Sequence, residues 1–258
     1  MEAIVSELNL FEPAVIQSAV VGEFVQEFAP IATIIQGSPI DFQIEGGGLN
    51  YMDLNNSKLE VRGKLTKPDG GNIAGGTRVG VVNLPLHSLF SAVNMKIGEK
   101  FVTDSNNLYP YRAHMETIIN YQEDVLKTRM LCEGYDADTA GQMDVTDPAG
   151  ANAGLGRREA NFNNSKTVRM IGRIHSDLWH QEKLIPPGVK LEVQLVPSSS
   201  SFFIKTAAPA DGAEQVEYKF EIRSPRFLNQ FKQVSTSMAV LTRKCSKKSN
   251  IKSPTPKY

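Results

Sequence analysis

The sequence predicts an all-β fold in which two facing sheets form a sandwich, with one or two short helices in inserted loops. Two observations favour this class. About nine or ten segments alternate apolar and polar residues, as half-buried strands do. No regular alternation of strands with long helices points to a parallel sheet. The chain has 258 residues, of which 41% are hydrophobic, so it is long enough to bury the core of such a sandwich.

The first predicted strands come early in the chain. Residues 20–28 alternate well enough to form an edge strand. The alternation is clearer in residues 39–45, where Phe42 and Ile44 share one face and polar residues occupy the other. Residues 58–65 repeat this pattern, so we expect a third strand there.

The central stretch, residues 79–121, changes its hydrophobic period twice. Alternation over residues 89–102 predicts a strand, and Gly98 within it predicts a hairpin turn. After a run of turn-forming residues the apolar spacing becomes helical. A hairpin followed by a short amphipathic helix is typical of an assembly unit rather than a catalytic one. The apolar face of this helix comprises Tyr111, Met115, Ile118 and Ile119.

The second half of the chain begins with a glycine-rich segment and then returns to strands. Residues 133–163 carry five glycines and only scattered apolar residues, which predicts a long loop insertion that reaches a neighbour or stays mobile. Alternation then predicts strands, the clearest at 189–195, with others at 168–174, 202–204 and 218–222.

These patterns divide the chain into three parts. Residues 1–30 form an N-terminal arm with the first edge strand, residues 31–232 form the sandwich, and residues 233–258 form a basic tail. The chain holds 28 basic and 28 acidic residues, yet from residue 225 onward there are eight basic residues and no acidic one. The tail therefore allows at most nonspecific contact with nucleic acid, and a solvated terminus is the favoured alternative.

Composition excludes other classes. Two cysteines, Cys132 and Cys245, cannot form a disulfide scaffold and lack zinc-site spacing, which indicates either a reducing compartment or a fold indifferent to redox conditions. No apolar run is long enough to span a membrane, and no secretory signal opens the chain. We expect a protein made and assembled inside a cell.

Catalytic and metal-binding motifs are weak. His175, Asp177 and His180 could ligate a metal, but no further ligand lies near them in the sequence, and local turn hydrogen bonds are the favoured alternative. A serine-nucleophile motif is missing, and the paired carboxylates lie in predicted helix ends or loops. We therefore expect no enzymatic activity, no cofactor and no metal.

Six stretches, taken together and in order, carry a family resemblance. They are SPIDFQI at 38–44, YMDL at 51–54, VNLPLHSLF at 82–90, YPYRAHMET at 109–117, GRIHSDL at 172–178 and LIPPGV at 184–189. They resemble the hexon-type major capsid proteins of Polinton (Maverick) elements and adintoviruses, and the resemblance runs from about Leu8 to Phe220.

The resemblance implies a double jelly-roll protein that forms trimers of pseudo-hexagonal outline and tiles an icosahedral shell around double-stranded DNA. The present chain is long enough for the first jelly roll and little more, so we expect a truncated or genome-resident derivative. Its tail, 233–258, would be a remnant of the connection to the second jelly roll. The implied partners are further copies of the chain and penton or minor capsid proteins. The implied location is the virion, with synthesis in the host cytoplasm or nucleus.

Apolar residues near the hairpin and the helix are the candidate subunit contacts, although burial in the core of one subunit is an equal alternative. Two other functions stay open. A jelly-roll module of another family could bind carbohydrate or protein partners and hold calcium in its Gly/Asp-rich loop. A cupin-type enzyme is a weaker alternative because a histidine cluster is not evident in the sequence. The candidate contacts are Leu84, Leu86, Leu89, Phe90, Tyr109 and Tyr111.

Overall fold

A computed structural model describes residues 19–103, 106–209 and 216–240, so the first part of the predicted arm and most of the basic tail lie outside the described residues. The described strands are β1 (Val20–Phe28), β2 (Ile40–Glu45), β3 (Asn50–Thr66), β4 (Val79–Val81), β5 (Phe90–Ile97), β6 (Lys100–Thr103), β7 (Val168–Gly172), β8 (Lys190–Pro197), β9 (Ile204–Thr206), β10 (Lys219–Ile222) and β11 (Arg226–Val234).

Among the described residues, five α-helices lie between strands, and residues 236–240 are also helical, after the last strand. Short 3-10 turns follow two of the helices at Arg129–Glu133 and Asn163–Ser165, and a third lies between β7 and β8 at Asp177–Trp179. The α-helices are α1 (Pro85–Ser88), α2 (Tyr109–Asn120), α3 (Glu123–Lys127), α4 (Ala153–Phe162) and α5 (Ser200–Phe203).

Three antiparallel sheets organise these strands. In the first, β1 pairs with β11 and β11 pairs with β3, which also pairs with β7 and β10. Gly63 of β3 pairs with both Val168 of β7 and Ile222 of β10, so these two strands lie on opposite edges of β3. Leu59 likewise pairs with both β7 and β11. Strands β10 and β11 therefore follow one another along the same edge of β3.

The second sheet has the order β2-β8-β5-β6, and a small third sheet joins β4 to β9. The nine described strands of the two large sheets alternate between the sheets along the chain, except at the β5–β6 hairpin and at β10 and β11, which both lie in the first sheet. This winding of a five-stranded and a four-stranded antiparallel sheet is the jelly roll. The predicted β-sandwich is thus confirmed, and so is its jelly-roll topology.

The core lies between the two large sheets. Phe42 of β2 faces Phe227 of β11, with ring centroids 6.2 Å apart. The fully buried Trp179 meets Phe227 edge-on at 5.6 Å. Inward residues of β2 and β8 alternate with outward ones in both strands, as the sequence pattern predicts. Aromatic packing of this kind adds about 0.5–1.5 kcal/mol per pair beyond area burial.

One buried carboxylate lies on the central strand of the first sheet. The side chain of Glu60 is only 2% exposed and accepts hydrogen bonds from Arg62 at 2.8 Å and Arg169 at 2.6 Å. Burial by itself raises the pKa of Glu60, but the two guanidinium groups outweigh burial and hold that pKa below its ordinary value. Glu60 is therefore ionised in the folded chain at neutral pH.

Two local predictions are wrong. The insertion 133–163 is not a plain loop, because its second half forms α4, which packs against β4 and buries Leu155 and Phe162. Residues 202–204 are not a strand throughout, since α5 takes up Phe202 and Phe203, and β9 begins only at Ile204. The helical turn is favoured by Ser199, whose hydroxyl accepts a hydrogen bond from the backbone N–H of Phe202.

Candidate functional site

Helix α2 presents an apolar face to solvent. The side chains of Tyr111, Met115, Ile118 and Ile119 are between 52% and 74% exposed. The opposite side of the helix is buried through smaller or polar residues, including Ala113 and Thr117. A surface helix normally turns its apolar stripe to the core. The reverse orientation leaves an apolar surface, which we call the α2 face and define by the four exposed residues.

Five of the six predicted subunit contacts lie inside the chain. Their side chains are at most 4% exposed, so they offer almost no surface to another subunit, and they form part of the core. Tyr111 differs, because it lies on the α2 face with its ring 5.9 Å from that of Phe202. The five buried residues are Leu84, Leu86, Leu89, Phe90 and Tyr109.

Further exposed apolar residues lie on the outer strands of the two large sheets. Phe101 and Val102 lie on β6, and Val21 and Val25 lie on β1. Within the described part of the chain, each of these strands pairs with a neighbour on one side only. Such edges expose unpaired backbone groups that can pair with another chain.

A cluster of histidines and carboxylates lies beneath α2. His175 Nδ1 is 2.9 Å from Glu116 Oε2, and His180 Nε2 is 3.9 Å from the same oxygen. His180 Nδ1 is 2.8 Å from the backbone carbonyl oxygen of Ser176. Helix α2 supplies Glu116, and the segment around the 3-10 turn after β7 supplies both histidines. The fold thus joins residues that are far apart in the sequence.

The inner half of the cluster is fully enclosed. His87 Nε2 is 2.8 Å from Glu133 Oε2, and His87 Nδ1 is 2.9 Å from the hydroxyl oxygen of Tyr109. The rings of His87 and His175 meet edge-on with centroids 4.6 Å apart. Burial raises the pKa of Tyr109, so its hydroxyl stays protonated and available as a hydrogen-bond donor.

Burial and hydrogen bonding set the charges of His175 and Glu116 in the cluster. Burial, together with the neighbouring His87, lowers the pKa of His175 to about 4, so this ring is neutral at pH 7. Partial burial opposes the ionisation of Glu116, but hydrogen bonds from Arg112 and His175 outweigh it and lower its pKa. Arg112 donates to Glu116 Oε1 at 2.7 Å and to Asp177 Oδ1 at 2.6 Å. The cluster therefore holds neutral imidazole beside ionised carboxylate.

Two sets of side chains in the cluster bring potential metal-ligand atoms within 4.8 Å of one another. One set is His87, Glu133 and His175, and the other is Glu116, His175 and His180. The sequence pattern indicated His175 and His180 as possible metal ligands, but it gave no sign of the carboxylates, because Glu116 is 59 positions from His175. Only the helical phase of α2, which places Glu116 on the flank of the helix outside the apolar stripe, could have pointed to it.

No protein-family model matches the chain, and no curated protein matches its sequence. The chain is similar to several solved structures. A chain of the Sputnik virophage matches at 13% identity and a TM-score of 0.48 over 92% of this chain and 53% of its own length.

Two major capsid proteins match in the same way. That of mavirus has 16% identity and a TM-score of 0.44, covering 90% of this chain and 50% of its own length. That of Faustovirus has 10% identity and a TM-score of 0.47, covering 93% of this chain and 58% of its own length. The present chain thus spans about half the length of the solved chains it matches.

Among the residues that the structure describes, no helix combines the length and the apolar character needed to cross a membrane.

Proposed function

We propose that this chain is a structural capsid subunit that self-associates through the α2 face. The observation that carries the proposal is the exposure of four large apolar side chains on one helix of a jelly-roll sandwich. The six sequence stretches that resemble the hexon-type capsid proteins of Polinton elements and adintoviruses support the same role. In this proposal the sandwich is the first half of a double jelly roll, or a truncated derivative of one.

The α2 face is suited to contact with a second copy. Complete burial of a large apolar side chain contributes about 1.5–3 kcal/mol, and these four side chains are only partly buried in one subunit. The two charged residues of α2, Arg112 and Glu116, form an ion pair with each other, and Arg112 also donates a hydrogen bond to the loop beneath the helix. An outer face without free charges favours an apolar partner surface, and a closed ring of identical subunits can supply one at every contact.

The finer parts of the proposal follow from the family resemblance. Trimers would tile the shell of a virion, with penton or minor capsid proteins at special positions, after synthesis in the host cytoplasm or nucleus. The role is structural rather than catalytic. The basic tail would contribute at most nonspecific contacts to packaged nucleic acid.

The test is the oligomeric state of the purified chain, measured by sedimentation velocity over a range of concentrations. We expect trimers or larger assemblies for the unaltered chain and monomers for Ile119→Lys, because a charge on the α2 face opposes its burial. The matched control is Ile35→Lys, which places the same charge at an equally exposed isoleucine outside α2 and should leave assembly unchanged.

Three outcomes would contradict the proposal. The unaltered chain could stay monomeric at every concentration, or both lysine variants could assemble like the unaltered chain, or both could lose assembly equally. A monomer that binds carbohydrate tightly would favour the alternative of a jelly-roll binding module. Thermal unfolding of both variants shows whether a loss of assembly reflects a loss of folding.

A further inference from the structure

We propose that Glu116, His175 and His180 form a binding site for a divalent transition-metal ion, with Zn²⁺ as the best-suited ion. Two imidazole nitrogens and one carboxylate oxygen converge from two separate elements of the fold. Imidazole with carboxylate is a ligand set that zinc accepts, whereas calcium and magnesium prefer oxygen ligands alone.

The distances fit such an ion. Two ligand atoms that each lie 2.0–2.1 Å from a tetrahedral zinc are about 3.3 Å apart. Glu116 Oε2 lies 2.9 Å from His175 Nδ1 and 3.9 Å from His180 Nε2, one distance below that separation and one above it. The third separation, between the two histidine nitrogens, is within 4.8 Å, so side-chain shifts would bring the three atoms to the spacing that the ion requires.

The surrounding groups orient the ligands. The backbone carbonyl of Ser176, 2.8 Å from His180 Nδ1, holds the proton on that nitrogen and leaves Nε2 free to bind a metal. Arg112 donates to the other oxygen of Glu116 at 2.7 Å and leaves Oε2 facing the histidines. Partners of this kind fix the tautomer and the direction of metal ligands in known sites.

Charge and access also favour this set. Three carboxylates, those of Glu116, Glu133 and Asp177, lie in or beside the cluster, and Arg112 offsets one of them. A divalent cation would balance the remaining charge. The side chains of Glu116 and His180 are 23% and 31% exposed, so an ion can enter from solvent, and water can complete its coordination.

The inner set of His87, Glu133 and His175 is the less favourable choice. His87 and Glu133 already satisfy each other at 2.8 Å, and all three side chains are at most 5% exposed. An ion at either set displaces an existing His–Glu hydrogen bond, that of His175 with Glu116 in the proposed set, and the displaced imidazole proton is released. At the inner set the ion would in addition have no path from solvent. The inner set therefore serves as the alternative outcome of the test.

The experiment uses the untagged chain, freed of metal by a chelator and titrated with Zn²⁺ in a calorimeter, with thermal unfolding as a second readout. We expect one ion per chain and a rise in Tm on adding Zn²⁺, but no rise with Mg²⁺. His180→Gln should weaken Zn²⁺ binding at least tenfold. The matched control His114→Gln alters the fourth histidine of the chain, which lies on α2 and belongs to neither ligand set, and this variant should keep the affinity.

Three results would overturn the proposal. Absence of Zn²⁺ binding by the unaltered chain would end it, and so would equal affinities of the two glutamine variants. If His180→Gln binds normally while His87→Gln loses binding, the ion occupies the inner set instead. Because His180 is partly exposed, its variant should fold, and the unchanged Tm of the metal-free form would verify this. The measurement does not depend on the oligomeric state, so it is independent of the capsid proposal.

Discussion

Two adjacent arginines on α4 allow a direct test of what holds the insertion on the sandwich. Arg158 has a side chain only 4% exposed and donates to Asp138 Oδ1 at 2.7 Å, to the carbonyl oxygen of Asp136 at 2.7 Å and to that of Val81 at 3.0 Å. The substitution Arg158→Met keeps much of the length and removes all three bonds. We therefore expect Arg158→Met to destabilise the folded chain.

The magnitude follows from the burial. Removing one partner of a buried ion pair costs about 3–5 kcal/mol. Asp138 keeps hydrogen bonds from Asn83 and Asn152, so it is not left wholly unpaired, and we expect a loss near about 3 kcal/mol, at the lower end of that range. A loss of this size lowers the urea midpoint by about 1 M or more.

The matched control is Arg157→Met, one residue earlier. Arg157 donates three hydrogen bonds to the carboxylate of Asp136, but its side chain is 56% exposed, so its removal should cost less than about 1 kcal/mol. Urea unfolding is followed by circular dichroism and by the fluorescence of Trp179, the single tryptophan, which is fully buried. Equal losses for the two variants, or a larger loss for Arg157→Met, would refute the reasoning that burial decides the contribution.

Two further predictions concern the first sheet. Glu60→Gln should destabilise the chain by about 1–2 kcal/mol at pH 7. The loss is limited to this range because both arginine partners are about half exposed, and solvent screens their interaction with Glu60. Because the pKa of Glu60 is lower in the folded chain than in the unfolded chain, where it is about 4.3, the ionised carboxylate stabilises the fold at pH values above the unfolded pKa. This contribution is lost as the pH falls through the folded pKa. The stabilities of Glu60→Gln and of the unaltered chain should therefore converge in acid. A difference that persists at low pH would contradict this origin. Gly63→Ala should cost about 1–3 kcal/mol in urea unfolding, because an added Cβ would lie 2.6 Å from the carbonyl oxygen of Glu221. Gly47→Ala, with no atom within 4 Å, should change stability by less than about 0.5 kcal/mol, and equal effects at the two glycines would contradict the steric explanation.

The strands were predictable because one face of each is buried. In β2, Phe42 and Ile44 face the core and their neighbours face solvent, so burial has the same period of two as the sequence. The order of the strands was not readable from alternation. β1 pairs with β11 from the far end of the described chain, as in the pair of Phe28 with Phe227, and no local pattern encodes that pairing.

Helix α4 escaped prediction because charged residues occupy its buried side. Leu155 and Phe162 follow helical spacing, but Arg158 and Glu159 are also buried between them and satisfy their charges through ion pairs. A pattern that counts only apolar residues therefore misses half of the stripe. The histidine cluster was missed for another reason. Its carboxylates come from distant segments, which only the folded chain brings together.

The two faces of α2 explain each other. An isolated helix of twelve residues is marginal in water, so α2 must be held by its contacts with the rest of the chain. Its outward stripe contributes little to that within one subunit, because more than half of each apolar side chain is exposed to solvent. The helix is held by its buried residues, including Tyr109 and Ala113, and by polar contacts beneath it. In those polar contacts Arg112 and Glu116 bind Asp177 and His175. A helix that is anchored from below and carries an apolar surface above is oriented for a partner surface, and an ion at Glu116 would fix that orientation more firmly.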